Sequence, residues 1–258
     1  MAVGKKRLDQ RVVEVGLAES RSRARALIMA GRVRVDDVPM DKPGASVSES
    51  AVLSLAGEET PYVSRGGLKL EAALREWDVP VRDARCLDVG ASTGGFTDCL
   101  LRNGAAHVHA VDVGYGQLAW SLRNDPRVTV LERTNIRHLK PDALPRPVDL
   151  VVVDTSFISL RIVAPAVLPL KTAAAPILAL IKPQFEVGKG QVGKGGVVRD
   201  PAQHEAVVEA LIRFFATLGL RSEGVIPSPI LGPKGNREFL IRLEGGCTPP
   251  EASEGGGF

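Results

Sequence analysis

The sequence predicts an α/β chain with a doubly wound, mostly parallel sheet, preceded by a small N-terminal α+β unit. Three observations carry this expectation. Short aliphatic runs alternate with amphipathic helical patterns from residue 65 onward, which is the pattern of a parallel sheet covered on both faces. One such run ends in a glycine-rich turn that opens a helix, CLDVGASTGGFTDCLL at 86–101. Charge is also unevenly spread. Nine basic residues oppose three acids between Met1 and Val35, a net of +6, whereas the whole chain nets only +3. A basic end on a near-neutral body is the footprint of a phosphate-seeking module.

Composition narrows the class further. The 258 residues are 44% hydrophobic and 24% charged, as in globular chains, and only 4% aromatic, so the core must be aliphatic. Cys86, Cys99 and Cys247 form no CxxC pair, and His107, His109, His138 and His204 show no HExxH spacing. Neither a disulfide scaffold nor a metal site is expected. No run of 18 apolar residues occurs, and the first residues are basic without an apolar segment behind them. A cytoplasmic chain without a spanning helix or secretory signal is therefore expected.

In chain order, residues 1–57 form the first unit. Leu8, Val12, Val15 and Leu17 give a short helical stripe closing at Gly16. Ser20 is the expected N-cap of a helix over 21–30 and Gly31 its stop, with Ala24, Leu27 and Ile28 facing the core and Arg21 and Arg25 together on the outer face. RVRVDDVPM at 32–40 alternates as a strand, turning at Asp36 and Asp37, and further short strands follow in 42–55. Residues 58–64 read as a linker, 65–244 as the α/β unit and 245–258 as a disordered tail. Strands are expected at 85–89, 107–111, 128–131, 150–153, 176–181 and 239–243. Helices are expected at 65–77, 96–103, 117–123, 160–170 and 203–218.

The turn after the first of these strands holds the sharpest chemical signal. Ligands of doubly wound sheets sit at the carboxyl ends of the strands. The spacing G-x-x-x-G-G from Gly90 through Gly94 and Gly95 misses the G-x-G-x-x-G fingerprint that receives a pyrophosphate. A cofactor without phosphates, S-adenosylmethionine, suits it better. Asp112 stands 22 positions after Gly90, near the spacing at which an acid meets ribose hydroxyls. A second glycine-rich stretch at 188–194 resembles a phosphate-binding loop, but Gly195 replaces the required Ser or Thr and no helix follows. Nucleotide hydrolysis is rejected in favour of a basic loop that touches RNA.

Two charges end aliphatic runs, Asp154 in DLVVVD and Lys182 in ILALIK. An aliphatic neighbourhood favours a neutral amine, while a carboxylate favours the cation. Lys69 lies off the apolar stripe formed by Leu70, Ala73, Leu74 and Trp77, and Glu238 opens the run EFLIRL. Spacing alone leaves open a structural Lys182–Asp154 ion pair with Lys69 and Glu238 as surface charges.

Longer motifs add a resemblance. SRSRARALIMAGRVRV at 20–35 resembles the S4-type RNA-binding module. VSRGGLKL (63–70), LDVGASTGGF (87–96), DVGYGQLAW (112–120), DTSFISL (154–160), KPQFEVGKGQ (182–191) and GNREF (235–239) resemble the TlyA/haemolysin A family of ribosomal-RNA 2′-O-methyltransferases, whose catalytic domain is FtsJ-like. The resemblance implies a Rossmann-like, S-adenosylmethionine-dependent methyltransferase joined to an S4-like RNA-binding domain, acting on ribosomal RNA or ribosomal subunits, with cytidine as the acceptor. It implies a catalytic tetrad of Lys69, Asp154, Lys182 and Glu238. It assigns cofactor binding to Gly90, Ser92, Gly94, Gly95, Phe96, Asp112 and, near the adenine, Asn135. Lys5, Lys6, Arg7, Arg21, Arg23, Arg25, Lys189 and Lys194 are the expected RNA contacts. A ribose 2′-hydroxyl becomes a useful nucleophile as its proton leaves, and a desolvated lysine can take that proton without a metal. The alternatives are a non-catalytic RNA- or ribosome-binding protein, which an intact tetrad argues against, and a membrane-active haemolysin, which the lack of a spanning segment argues against.

Overall fold

A computed structural model describes residues 4–36, 38–55, 60–188, 192–193, 196–232 and 235–246. The chain divides into two compact units, residues 1–59 and 60–258.

In the first unit, β1 (Lys5–Arg7) pairs antiparallel with β4 (Ser46–Ser48), and β3 (Val38–Met40), β2 (Val33–Val35) and β5 (Leu53–Leu55) form a three-stranded antiparallel sheet. Helices α1 (Leu8–Glu14) and α2 (Arg21–Met29) bury Leu8, Val12, Ala24 and Ile28 against Val33 and Val47. Ser20 Oγ accepts from Arg23 N, and Gly31 closes α2 with positive φ while Arg32 N reaches back to Leu27 O, so cap and stop fall where the sequence put them. Helix α1 closes at Gly16 (φ +75°), where its stripe placed the stop. Gly16 N and Leu17 N turn back onto Val13 O and Val12 O, which swings Val15 into solvent instead of the core.

The second unit holds a seven-stranded sheet. Its strands are β6 (Arg85–Val89), β7 (His107–Val111), β8 (Val128–Leu131), β9 (Leu150–Val153), β10 (Ile177–Ile181), β11 (Leu220–Pro227) and β12 (Phe239–Gly245), in the order β11-β12-β10-β9-β6-β7-β8. All neighbours from β10 to β8 are parallel, whereas β12 runs antiparallel to both β10 and β11. The sheet is buried on both sides, so alternate residues of one strand serve opposite cores. Leu150, Val152, Leu178 and Leu180 face α3 (Gly66–Glu76) and α4 (Gly95–Arg102). Val151, Val153, Ile177, Ala179 and Ile181 face α6 (Leu160–Val167) and α8 (Pro201–Thr217). Helices α5 (Trp120–Arg123) and α7 (Pro183–Glu186) are single turns.

Some boundaries differ from expectation. Thr60 to Ser64, read as linker, belong to the second unit. Tyr62 is buried with its ring against Gly67 and donates to Glu71 (2.9 Å), and Val63 N donates to Asp98 Oδ2 (2.8 Å). Strand β12 runs on to Gly245, the first residue of the expected tail, and residues 247–258 lie outside the described residues. Strand β11 has no counterpart in the prediction because it is an edge, with Arg221 and Glu223 exposed or half-buried and a bulge between Ser222 and Gly224. The expected helix over 160–170 contains Pro165 and finishes as a 3-10 turn over Leu168–Leu170.

Candidate active site

The topology collects four strand exits and one strand entrance at a single edge. Val89 pairs with both Val111 and Val153, which brings the exits of β6, β7 and β9 together. The exit of β10 joins them, and because β12 is antiparallel to β10, Phe239 pairs with Ile181. Glu238, preceding a strand, and Lys182, following one, therefore reach the same crevice.

The glycine turn forms the floor. Gly90 has φ of +89°, and a Cβ there would lie 2.5 Å from the Asp154 carbonyl oxygen, so two strand exits touch through backbone. Ser92 N donates to Asp112 Oδ2 (2.8 Å) and Gly114 N to Asp112 Oδ1 (2.7 Å), which fixes the Asp112 carboxylate at the end of β7. A cavity of about 420 Å³ opens here, lined by Gly90, Ser92, Asp112, Asn135, Asp154 and Phe157 among others. Asn135 caps the following 3-10 turn, its Oδ1 accepting from Arg137 N.

Gly94 has a packing role of its own in the turn. It lines neither this cavity nor its neighbour. It is the left-handed N-cap of α4 (φ +96°), and a side chain there would strike Leu118 and Leu122. Its smallness serves packing. Gly95 packs α4 against the start of α3, where a Cβ would lie 2.8 Å from Gly67 N, and borders the second cavity together with the buried Phe96.

That second cavity, about 300 Å³, shares Gly90, Ser92, Asp154 and Ser156 with the first and adds Lys69, Lys182 and Gly232. Lys182 Nζ lies 2.6 Å from Asp154 Oδ1 and donates to Ser156 Oγ at 2.9 Å. Lys69 Nζ donates to Glu238 Oε2 at 2.5 Å, and both side chains are buried, Glu238 against Gly232. The surface-charge reading of Lys69 and Glu238 thus fails. All four ionisable residues of the expected tetrad stand at one crevice as two lysine–carboxyl pairs.

Two residues here went unmarked in the sequence reading. Ser156 is one. The other is Asp88, fully buried beneath the glycine turn and accepting from Thr97 Oγ1 at 2.7 Å. Burial pushes its carboxyl up to about 7, with Asp154 and Asp112 adding to the rise and the Thr97 hydrogen bond opposing it. A carboxylate inside the aliphatic run CLDV was the available signal.

On the first unit, the basic residues divide. Lys6 pairs with Glu14 and Glu49. Arg7 and Arg21 both bind Asp9, which they cover on the outside. The Asp9 carboxyl is held down at about 2, first by the Arg7 hydrogen bond, against the cost of burial and with help from Arg21. Lys5, Arg23 and Arg25 are exposed. Arg21 and Arg25 line one shallow hollow with Ser22, Ala26 and Met29, so the expected common face is present. Lys189 and Lys194 lie outside the described residues.

Residues 62–244 match the FtsJ-like methyltransferase family model and residues 6–53 the S4 domain. The 16S/23S rRNA (cytidine-2′-O)-methyltransferase TlyA of Mycobacterium tuberculosis is 55% identical over 238 residues, covering 92% of this chain and 89% of that protein. The chain belongs to the TlyA family of FtsJ-like methyltransferases. Hemolysin A of Brachyspira hyodysenteriae is 40% identical over 92% of this chain and 99% of its own length, so the family also includes a member named for lysis. A solved structure from Streptococcus thermophilus, described as a candidate hemolysin, covers 96% of this chain and 91% of its own with 43% identity and a TM-score of 0.75. No helix among the described residues is long and apolar enough to cross a membrane, and none of their His, Cys, Asp and Glu residues forms a cluster that could hold a metal.

Proposed function

We propose that this chain is a cytoplasmic S-adenosylmethionine-dependent methyltransferase acting on ribose 2′-hydroxyls of ribosomal RNA, with cytidine as the acceptor. One observation carries the reading. Two cavities share the wall formed by Gly90, Ser92, Asp154 and Ser156; one is lined by Asp112 and Asn135, the other by Lys69 and Lys182, with Glu238 bound to Lys69 beside it. The first has the size of a small-ligand site, mixing apolar lining with a few polar groups. Its floor needs Gly90, since a Cβ would fill the contact with Asp154, and its acids suit a cationic, ribose-bearing cofactor. Asp112 keeps free lone pairs beyond its two backbone hydrogen bonds for ribose hydroxyls, and Asn135, on the wall of the same cavity, would meet the adenine.

When bound, S-adenosylmethionine supplies a methyl group activated by its sulfonium. Lys182, as the neutral amine, takes the proton of the attacking 2′-hydroxyl, and Asp154 holds the lysine in place. Lys69, fixed by Glu238, donates toward the developing negative charge on that oxygen. The S4 unit holds the RNA through phosphates, with Arg21, Arg23 and Arg25 as its exposed donors and Arg7 pre-oriented by Asp9.

The reading is tested by mapping 2′-O-methyl groups on ribosomal RNA from cells with and without the protein, followed by single-turnover methyl transfer with the purified chain. Lys182→Ala should abolish transfer with both ligands still bound, and Lys182→Arg should not restore it, because a guanidinium stays protonated. An unchanged methylation map would defeat the function. Substantial activity in Lys182→Arg would defeat the role of Lys182 as base.

A further inference from the structure

Lys182 Nζ has two described partners, and they differ in kind. Asp154 Oδ1 is 2.6 Å away, yet that oxygen accepts no aligned hydrogen bond. The aligned hydrogen bond goes to Ser156 Oγ at 2.9 Å. Coulomb attraction depends on distance and scarcely on angle, whereas a hydrogen bond weakens steeply off its axis. Asp154 therefore keeps the amine near, and Ser156 decides which way it faces.

The loop carrying Ser156 is itself pinned. The Phe157 and Phe185 rings are 5.0 Å apart, and Ser159 Oγ and Leu160 N each donate to the Glu186 carboxylate at 2.7 Å. The segments leaving β9 and β10 are thus bound together just beyond the Lys182–Ser156 contact, and Ser156 lines both cavities. An amine nitrogen has four tetrahedral directions. Cε takes one, and an N–H held on Ser156 takes a second. The remaining two, which include the lone pair of a neutral amine, are then no longer free to sweep around the Cε–Nζ bond.

We propose that Ser156 is a positioning residue for methyl transfer, aiming the Lys182 amine at the acceptor hydroxyl by accepting its hydrogen bond. The inference rests on the function proposed above. General-base catalysis is typically worth about 10²–10⁴-fold, and misdirecting the base forfeits part of it.

The test uses the full chain and ribosomal RNA. Ser156→Ala, at an exposed loop position, should lower the single-turnover rate at saturating RNA and cofactor by about 10- to 100-fold. Dissociation constants for RNA and cofactor should stay within about twofold, because the lost interaction acts in the transition state. Ser156→Thr keeps the hydroxyl and should recover most of the rate, which a purely structural role of the loop would not require. Full activity in Ser156→Ala, a loss seen only in the dissociation constants, or a Thr variant no better than Ala would overturn the inference. A silent wild-type enzyme would instead defeat the methyltransferase reading on which it stands.

Discussion

Asp88→Asn isolates the cost of a buried charge under the glycine turn. The wild-type carboxyl titrates near 7 in the folded chain and near 3.8 when exposed. A raised carboxyl pKa means that the folded state holds its proton more tightly, so stability is favoured at low pH. It is lost progressively as pH climbs from about 4 through about 7. The full shift is about 3 units, or at most about 4 kcal/mol at 1.36 kcal/mol per unit. Between pH 5 and pH 8 the same linkage gives roughly 2–3 kcal/mol. Asparagine keeps an oxygen for Thr97 Oγ1 and cannot ionise. Its amide nitrogen would fall where Asp88 Oδ1 now has no partner, a constant penalty of about 1–3 kcal/mol that does not vary with pH. The assay is urea unfolding followed by tryptophan fluorescence, which reports the second unit alone because both tryptophans, Trp77 and Trp120, lie there. Stability of Asp88→Asn relative to wild type should improve by roughly 2–3 kcal/mol from pH 5 to pH 8. A difference that does not change with pH would refute the argument that Asp88 pays for its burial with its charge.

Three further outcomes are expected. Gly94→Val should lower the unfolding midpoint by the equivalent of about 2 kcal/mol or more, because it adds a side chain against Leu118 and Leu122 at a left-handed position; loss of cofactor binding at full stability, measured by calorimetry, would contradict the packing account. Lys69→Ala should cost about 3–5 kcal/mol by stranding the Glu238 carboxylate, whereas Lys69→Met with Glu238→Leu should regain most of the stability and none of the activity, as urea unfolding and methyl transfer would report. The Asp9 carboxyl should titrate near 2 by carbon-13 NMR and move up most in Arg7→Gln; its cluster stabilises the first unit above about pH 4 and that contribution fades as pH falls through about 2.

The strand exits at Asp154 and Lys182 were legible because a buried strand writes itself as a continuous aliphatic run, and a charge ending that run marks where it meets solvent. Turn chemistry was equally readable at Ser20 and Gly31, where cap and stop are local. The Lys69–Glu238 pair was not, since its partners are 169 residues apart and only the antiparallel β12 brings them together. Motif resemblance named them where spacing left them on the surface. Gly94 shows what a local motif leaves out. A glycine in a ligand-binding turn invites a ligand explanation, while the atoms that exclude its side chain come from leucines 24 and 28 residues later. Ser156 stands inside the motif DTSFISL but carries no role there, because a serine in an exposed loop is the commonest kind of residue to find.

The shared wall between the two cavities has a thermodynamic consequence. Gly90, Ser92, Asp154 and Ser156 face both spaces, so a molecule seated in one changes the boundary that the other presents. Whatever factor occupancy of the first cavity applies to affinity in the second must be returned unchanged in the opposite direction, since linkage of binding free energies is reciprocal. A substitution at Ser156 or Asp154 that alters this factor therefore alters it for both ligands at once, whatever it does to the affinity of either alone.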